Sequence, residues 1–340
     1  MRDESVLRAA ATHALPGAPT RPAVITRADE QDILTIARMD RIGGVLWFAC
    51  QSGAIEAPEE TMQRIYDVFQ EQLVAAVTVE AAAAPLAELL DGAGVNWRLL
   101  KGPALAHLDY PQPELRCFGD LDVLVDPRDW DRCLEQVTSL GFHRPAPALA
   151  PDFDLRFGKG ATFRDRNGLE LDLHLRLAIG RFGVRLGTAG LLDEPELVTF
   201  GERDFPALCG PMRLVHACFH AALGGFREYR AHRDVAQLLL VSGVDWRVSA
   251  QLARRAGVLA VLARAITDAW GALGLDLHHP AVDFARRVRI GRIDDAVLEI
   301  FGSERSYRRQ ALTAVPDLVG KGATRYLWTL ARHSQHREHQ

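Results

Sequence analysis

Gly119-Asp120-Leu121-Asp122-Val123-Leu124-Val125 is the stretch on which the fold turns. In a β-strand, residues i and i+2 project from the same face. Leu121, Val123 and Val125 therefore point into a core, and Asp120 and Asp122 share the other face. Two bare carboxylates side by side repel each other. A divalent cation between them removes that repulsion, and hard cations such as Mg²⁺ choose such oxygens. Taken alone, D-x-D fits two solvated aspartates at a strand end equally well.

The neighbouring segments add weight. Leu169-Glu170-Leu171-Asp172-Leu173-His174-Leu175 alternates strictly, so Glu170, Asp172 and His174 share one face. Asn167-Gly168 marks a hairpin between strands at 161–164 and 169–175. A third carboxylate from this strand, Asp172 or Glu170, would complete a two-metal site of the kind that drives in-line phosphoryl displacement. His174 follows on the same face, within reach of a substrate.

Upstream, Leu99-Leu100-Lys101-Gly102-Pro103-Ala104 reads as a strand entering a glycine turn and a helix N-terminus, where backbone N–H groups can bind phosphate. Lys101 could add a charge to a β- or γ-phosphate. Such a turn is nonspecific by itself; its position one element before the D-x-D raises it. Arg116 precedes Asp120 closely enough to reach a phosphate or to pair with an acid. Arg156, Lys159, Arg164, Arg166, Arg176, Arg181 and Arg185 form a basic run that suits a phosphate-bearing substrate or a solvated rim. His216 and His220 lie one helical turn apart. With no third ligand in view they read as structural histidines.

The wider chain frames this core. Periodicity predicts helices at 31–50, 59–90, 127–140, 211–224, 230–242, 247–272, 280–287 and 290–300, with strands at 95–100, 121–125 and the hairpin. Pro85 is placed to kink the second helix. The expected organisation is a loose segment at 1–28, a helical region at 29–94, an α/β core at 95–185, a mainly helical domain at 186–331 and a frayed tail at 332–340. The fold class is α+β: a small mixed sheet between helical flanks.

Composition bounds the function. The chain has 340 residues, 48% hydrophobic and 25% charged, with a formal net charge of −4, which excludes a disordered or fibrous protein. A pI near 6.3 argues against a dedicated nucleic-acid binder, although a tRNA end stays compatible with a local basic patch. Five cysteines without a C-x-x-C fit neither a disulfide framework nor a zinc knuckle. The first residues show no signal peptide, and Leu73–Leu90 is too rich in Ala and Glu for a membrane span. A cytoplasmic location and no membrane partner are expected.

Together, Leu-Leu-Lys-Gly at 99–102, Tyr110, Arg116, Gly-Asp-Leu-Asp-Val-Leu-Val at 119–125 and Leu-Asp-Leu-His at 171–174 resemble the nucleotidyltransferase fold of the DNA polymerase β superfamily. They look most like its uncharacterised bacterial nucleotidyltransferase-like family, NTP_transf_5, over about 30–320. That resemblance implies Asp120, Asp122 and Asp172 as catalytic and metal-binding residues for Mg²⁺ or Mn²⁺, with Asp172 as base toward an acceptor hydroxyl. It implies Lys101, Gly102, Arg116, Gly119, Arg164, His174, His220 and Asp234 on the nucleotide side. Lys101-Gly102 stand where the wider superfamily has Gly-Ser. The implied reaction is nucleotidyl transfer from ATP or another nucleoside triphosphate to a small-molecule or peptide hydroxyl, in the manner of natural-product tailoring. A nucleotide-sugar donor at the same metal site, and an inactive nucleotide-binding scaffold, are the alternatives.

Overall fold

The computed structural model describes residues 4–18, 21–145, 153–156, 158–188, 190–303, 307–318, 323–324 and 326–327. The expected tail at 332–340 lies outside them.

Helices α1 (Glu4–Thr12), α2 (Glu30–Met39), α3 (Gly43–Gln51) and α4 (Glu59–Gly92) come first, with a parallel pair of short strands, β1 (Ala23–Val24) and β2 (Ile55–Glu56). Then follow β3 (Trp97–Leu99), α5 (Lys101–Leu108), β4 (Asp120–Val125), α6 (Trp130–Ser139), α7 (Phe153–Arg156), β5 (Gly160–Arg164), β6 (Glu170–His174), α8 (Gly180–Leu186), β7 (Glu196–Phe200) and β8 (Arg203–Ala207). The chain continues through α9 (Gly210–Leu223), α10 (Tyr229–Leu240), α11 (Trp246–Arg255), α12 (Leu259–Leu273), α13 (Pro280–Arg287), α14 (Arg292–Ser303) and α15 (Tyr307–Leu312).

Six strands form one mixed sheet in the order β5-β6-β4-β3-β8-β7. β4 runs parallel to β6, β3 parallel to β8, and the other neighbours are antiparallel. This is the expected α+β architecture.

The sheet has two differently used faces. Leu121, Val123 and Val125, with Leu171 and Leu173, pack against Val79, Ala83, Leu86 and Leu90 of α4 and Cys133 and Val137 of α6. On the other face Leu124 joins the core of α9, α10 and α12. A third cluster ties α1, α2 and α3 to Tyr110 and Leu115. Helix α4 has the length and hydropathy of a membrane span. Here its apolar stripe faces the sheet and the helices before it.

Local expectations differ from the structure in five places. The segment 1–28, expected to be loose, contains α1 and β1, because Val6, Leu7, Ala10 and Ala11 of α1 are buried against neighbouring helices. The helix read over 31–50 is two helices, because Arg41 takes a left-handed φ of 51° and turns the chain. The helix read over 247–272 is also two, broken where Gly257 adopts φ 70°. Strands β7 and β8 lie in a segment read as mainly helical; each is short and only half of its alternation is apolar, so the period is weak. Pro85 does not split α4, which runs unbroken past it with Pro85 on its exposed side.

Candidate active site

Register brings the acids together. On β4 and β6, Asp120 stands opposite Glu170, Asp122 opposite Asp172, and Leu124 opposite His174. Asp122 is buried, whereas Asp120 begins the strand and is half-buried. Nε2 of His174 lies 2.7 Å from Oδ1 of Asp122. A carboxylate only accepts, so in this pair Nε2 carries the proton. Thr162 on β5 donates to Oδ1 of Asp172 at 2.5 Å. Glu170 is instead held by Arg164, also on β5, and both are exposed.

Two lysines complete the cluster. Nζ of Lys101 lies 2.7 Å from Asp122 Oδ1 and 3.9 Å from Asp120 Oδ2. Burial alone would lower its pKa, but Asp122 and Asp120 outweigh burial and the net shift is upward. Lys101 has a left-handed φ of 40° at the junction of β3 and α5, which aims its side chain at β4. Gly102 beside it packs closely on Phe118: a Cβ there would lie 3.1 Å from the ring. The second cation is Lys159, in the residue before β5. Burial, then the nearby Lys101 charge, pushes its ammonium down to about 8.

The sequence contains only three lysines among 40 basic residues: Lys101, Lys159 and Lys321. Placing two of them at one cluster in an arginine-rich chain selects a compact, tunable point charge over a planar fork.

Helix α9 covers this face. His216 and His220 are deeply placed, and burial first, then the Lys101 charge, drives both imidazoles well below their ordinary pKa. Burial and the same lysines do so for His174. Lys101, His216, His220 and Asp234 line one small cavity.

The remaining expected residues have other partners. Arg116 donates from Nε to Asp234 Oδ1 at 2.7 Å and from Nη2 to Oδ2 at 2.9 Å, so it pairs with an acid, and that acid is Asp234. The Tyr110 hydroxyl donates to the same Oδ1 at 2.7 Å. The basic run disperses on folding: Arg176 donates to the carbonyls of Leu155 and Gly158, and Arg181 and Arg185 pair with Asp294 and Asp317. Arg233 donates to the carbonyls of Ala11 and His13, each at 2.7 Å. Of the run, Lys159 is buried near enough to Asp122, Asp172 and Asp120 to feel their charges. Arg41, which the sequence reading passed over, packs its guanidinium on Gly119, where an added Cβ would lie 2.3 Å from Nη1.

Ligand atoms of Asp122, Asp172 and His174 lie within 4.8 Å of one another, close enough to share one metal ion. The donor set fits a divalent cation: Asp122 Oδ2 is buried without a hydrogen-bond partner, and an unsatisfied buried carboxylate oxygen is costly.

The family model described as uncharacterised nucleotidyltransferase matches residues 26–269. The chain belongs to this family. Solved structures similar to it include an antigenic nucleotidyltransferase-like protein from Paracoccidioides brasiliensis, at 14% identity and a TM-score of 0.30, covering 62% of this chain and 95% of that one. No curated protein matches the chain. The match runs from just before α2 into α12, so the D-x-D, its facing strand and the α9–α10 cover all fall within the family's span.

Proposed function

We propose that this nucleotidyltransferase-family protein moves a nucleoside monophosphate from a nucleoside triphosphate, ATP among the candidates, to a hydroxyl of a small molecule or peptide, with Mg²⁺ or Mn²⁺ bound at its carboxylates. The observation that carries this reading is the register that sets Asp122 opposite Asp172 with His174 beside them. Asp122 and Asp172 would hold the cation, with Asp120 at the open end of the strand and His174 orienting Asp122 through its Nε2–H. A bound divalent ion supplies Lewis-acid stabilisation of charge on phosphoryl oxygens.

The chain's own groups do the rest. Lys101 brings a positive charge to the carboxylates from the strand–helix turn, where a phosphate can meet it. Asp172 is oriented by Thr162 through one oxygen, which leaves the other as base toward an acceptor hydroxyl. Burial keeps His174 neutral, so it steadies Asp122 without adding positive charge.

The test is a thermal-shift panel with ATP, GTP, CTP, UTP and UDP-glucose, with and without Mg²⁺ or Mn²⁺, on wild type and Asp122→Asn. At about 100 times its Kd a ligand stabilises by about 2.7 kcal/mol. The expected result is a metal-dependent shift with a triphosphate that the variant loses, followed by a mass gain of one nucleoside monophosphate on the acceptor. Equal stabilisation of wild type and variant without metal would refute the reading. A shift confined to UDP-glucose would replace nucleotidyl with glycosyl transfer.

A further inference from the structure

Two arginines far apart in the chain, Arg41 and Arg230, are brought to neighbouring positions beside the strand that carries Asp120. Arg41 lies between α2 and α3 in a left-handed conformation, φ 51°. That conformation is strained for a non-glycine residue, and a glycine there would turn the chain more easily. What the arginine adds is its guanidinium. It lies over Gly119 so closely that Nη1, Cζ and Nη2 would all be within 2.6 Å of a Cβ at that position. Gly119 is the residue immediately before Asp120. Among the described residues the Arg41 guanidinium has no hydrogen-bond or ion-pair partner.

Arg230 stands in the first turn of α10, the end of a helix that repels a cation. Its side chain is 15% exposed, and its nearest acid, Glu228, is 3.7 Å away. Its Nε is buried without an acceptor. The two arginines are brought together by their neighbours: the Tyr229 amide donates to Asp40 Oδ2 at 2.9 Å, pinning the end of α2 to the start of α10. The charges of Arg116, Arg41 and Arg230 all act on the thiol of Cys117, two residues before Gly119. Burial lowers the Arg230 pKa, and Asp234, Glu228 and Asp120 are the nearby acids that oppose that shift. Arg116 is committed to Asp234, whereas Arg230 has, among the described residues, only the long ion pair with Glu228.

The geometry points to a polyphosphate-binding clamp in which Arg41 of the N-terminal helices and Arg230 of the C-terminal helices grip the terminal phosphates of a nucleotide above Gly119. Planar guanidiniums match phosphate oxygens two at a time, and an anion here would also complement the N-terminus of α10. The clamp deepens the nucleotidyltransferase reading and rests on it for the nucleotide, while the polyphosphate chemistry rests on the arginines alone.

The probe is inorganic tripolyphosphate in EDTA, titrated calorimetrically into wild type, Arg41→Gln, Arg230→Gln, the double variant and Asp122→Asn. Wild type is expected to bind. Each single variant should weaken binding at least about tenfold, as loss of a charge-assisted hydrogen bond implies. The double variant should abolish it, and Asp122→Asn should retain it. Far-UV circular dichroism and unliganded melting should match wild type, and Arg41→Lys should recover part of the affinity. AMP, which lacks the terminal phosphates, should bind all the arginine variants as it binds wild type. Wild-type affinity in the glutamine variants, absence of tripolyphosphate binding by wild type, or an equal loss of AMP binding would each overturn the clamp. Intact tripolyphosphate binding with no metal-dependent triphosphate shift would leave the clamp standing and reject nucleotidyl transfer.

Discussion

Arg116 and Asp234 are 118 residues apart and form a buried two-pronged ion pair, each side chain no more than 4% exposed. The pair fixes the loop that leads into β4 against α10, with Tyr110 as a third member. It links the carboxylate-bearing end of the sheet to the C-terminal helices. Burial opposes the Arg116 charge, Asp234 overrides that opposition, and the guanidinium pKa is raised.

Asp234→Ala is therefore expected to act first on stability. It strands a buried guanidinium, which costs about 3–5 kcal/mol. Urea unfolding should show that loss, with any fall in nucleotide binding following from it. An unchanged midpoint would mean that Arg116 finds another partner.

Asp172 and Glu170 both fit the acid–apolar alternation of β6, and the structure separates them. Asp172 faces Asp122 across the strand pair, whereas Glu170 is exposed and engaged by Arg164. Asp172→Asn should abolish metal binding and turnover. Glu170→Gln should keep both and change stability by less than about 1 kcal/mol, as for an exposed pair. Mn²⁺ titration followed by electron paramagnetic resonance distinguishes the two; the reverse pattern would transfer the role to Glu170.

Lys101 occupies the position from which a cation would neutralise Asp122, 2.7 Å away. In Lys101→Met, Asp122 keeps only the neutral His174 beside it. The metal-free variant should melt lower than wild type, and saturating Mn²⁺ should recover more of its stability than it adds to wild type. Equal Mn²⁺ shifts in the two proteins would show that Lys101 and the metal do not share the carboxylates.

Lys159 carries a pH signature. Its folded value is about 8 against an ordinary 10.5, because burial and Lys101 disfavour the charged form. A depressed pKa contributes stability that is complete above about 10.5 and is lost as pH falls through about 8. Through this group, stability should rise from pH 8 toward 10.5, and Lys159→Met should flatten that rise. Reductive ¹³C-methylation gives one signal per lysine, three in all. One signal should titrate near 8; three signals titrating at the ordinary lysine value would contradict the placement.

Much of the site was legible locally, because a strand's period of two is written into its residues. Asp120 and Asp122 had to share a face, as did Glu170, Asp172 and His174, and each set had to oppose its leucines and valines. The Lys-Gly turn was legible for the same local reason. The ambiguity between Glu170 and Asp172 was not, since both obey the same alternation and only inter-strand register ranks them. Arg41 gave no local signal: its role comes from a left-handed turn and from the approach of its side chain to Gly119. Arg116, Asp234 and the arginines at 176–185 read as nucleotide ligands or as a basic run, yet each meets its partner across long chain separations.

The sequence by itself determined the α+β class, the carboxylate-bearing strands and the lysine at the turn, because hydrophobic periodicity and turn chemistry are properties of neighbours in the chain. Tertiary structure alone decided which acid faces Asp122, which cations remain uncommitted and which are locked in buried pairs. Those outcomes depend on register and on packing between distant helices, where a one-residue slip or a new partner changes a side chain's company without changing the local pattern.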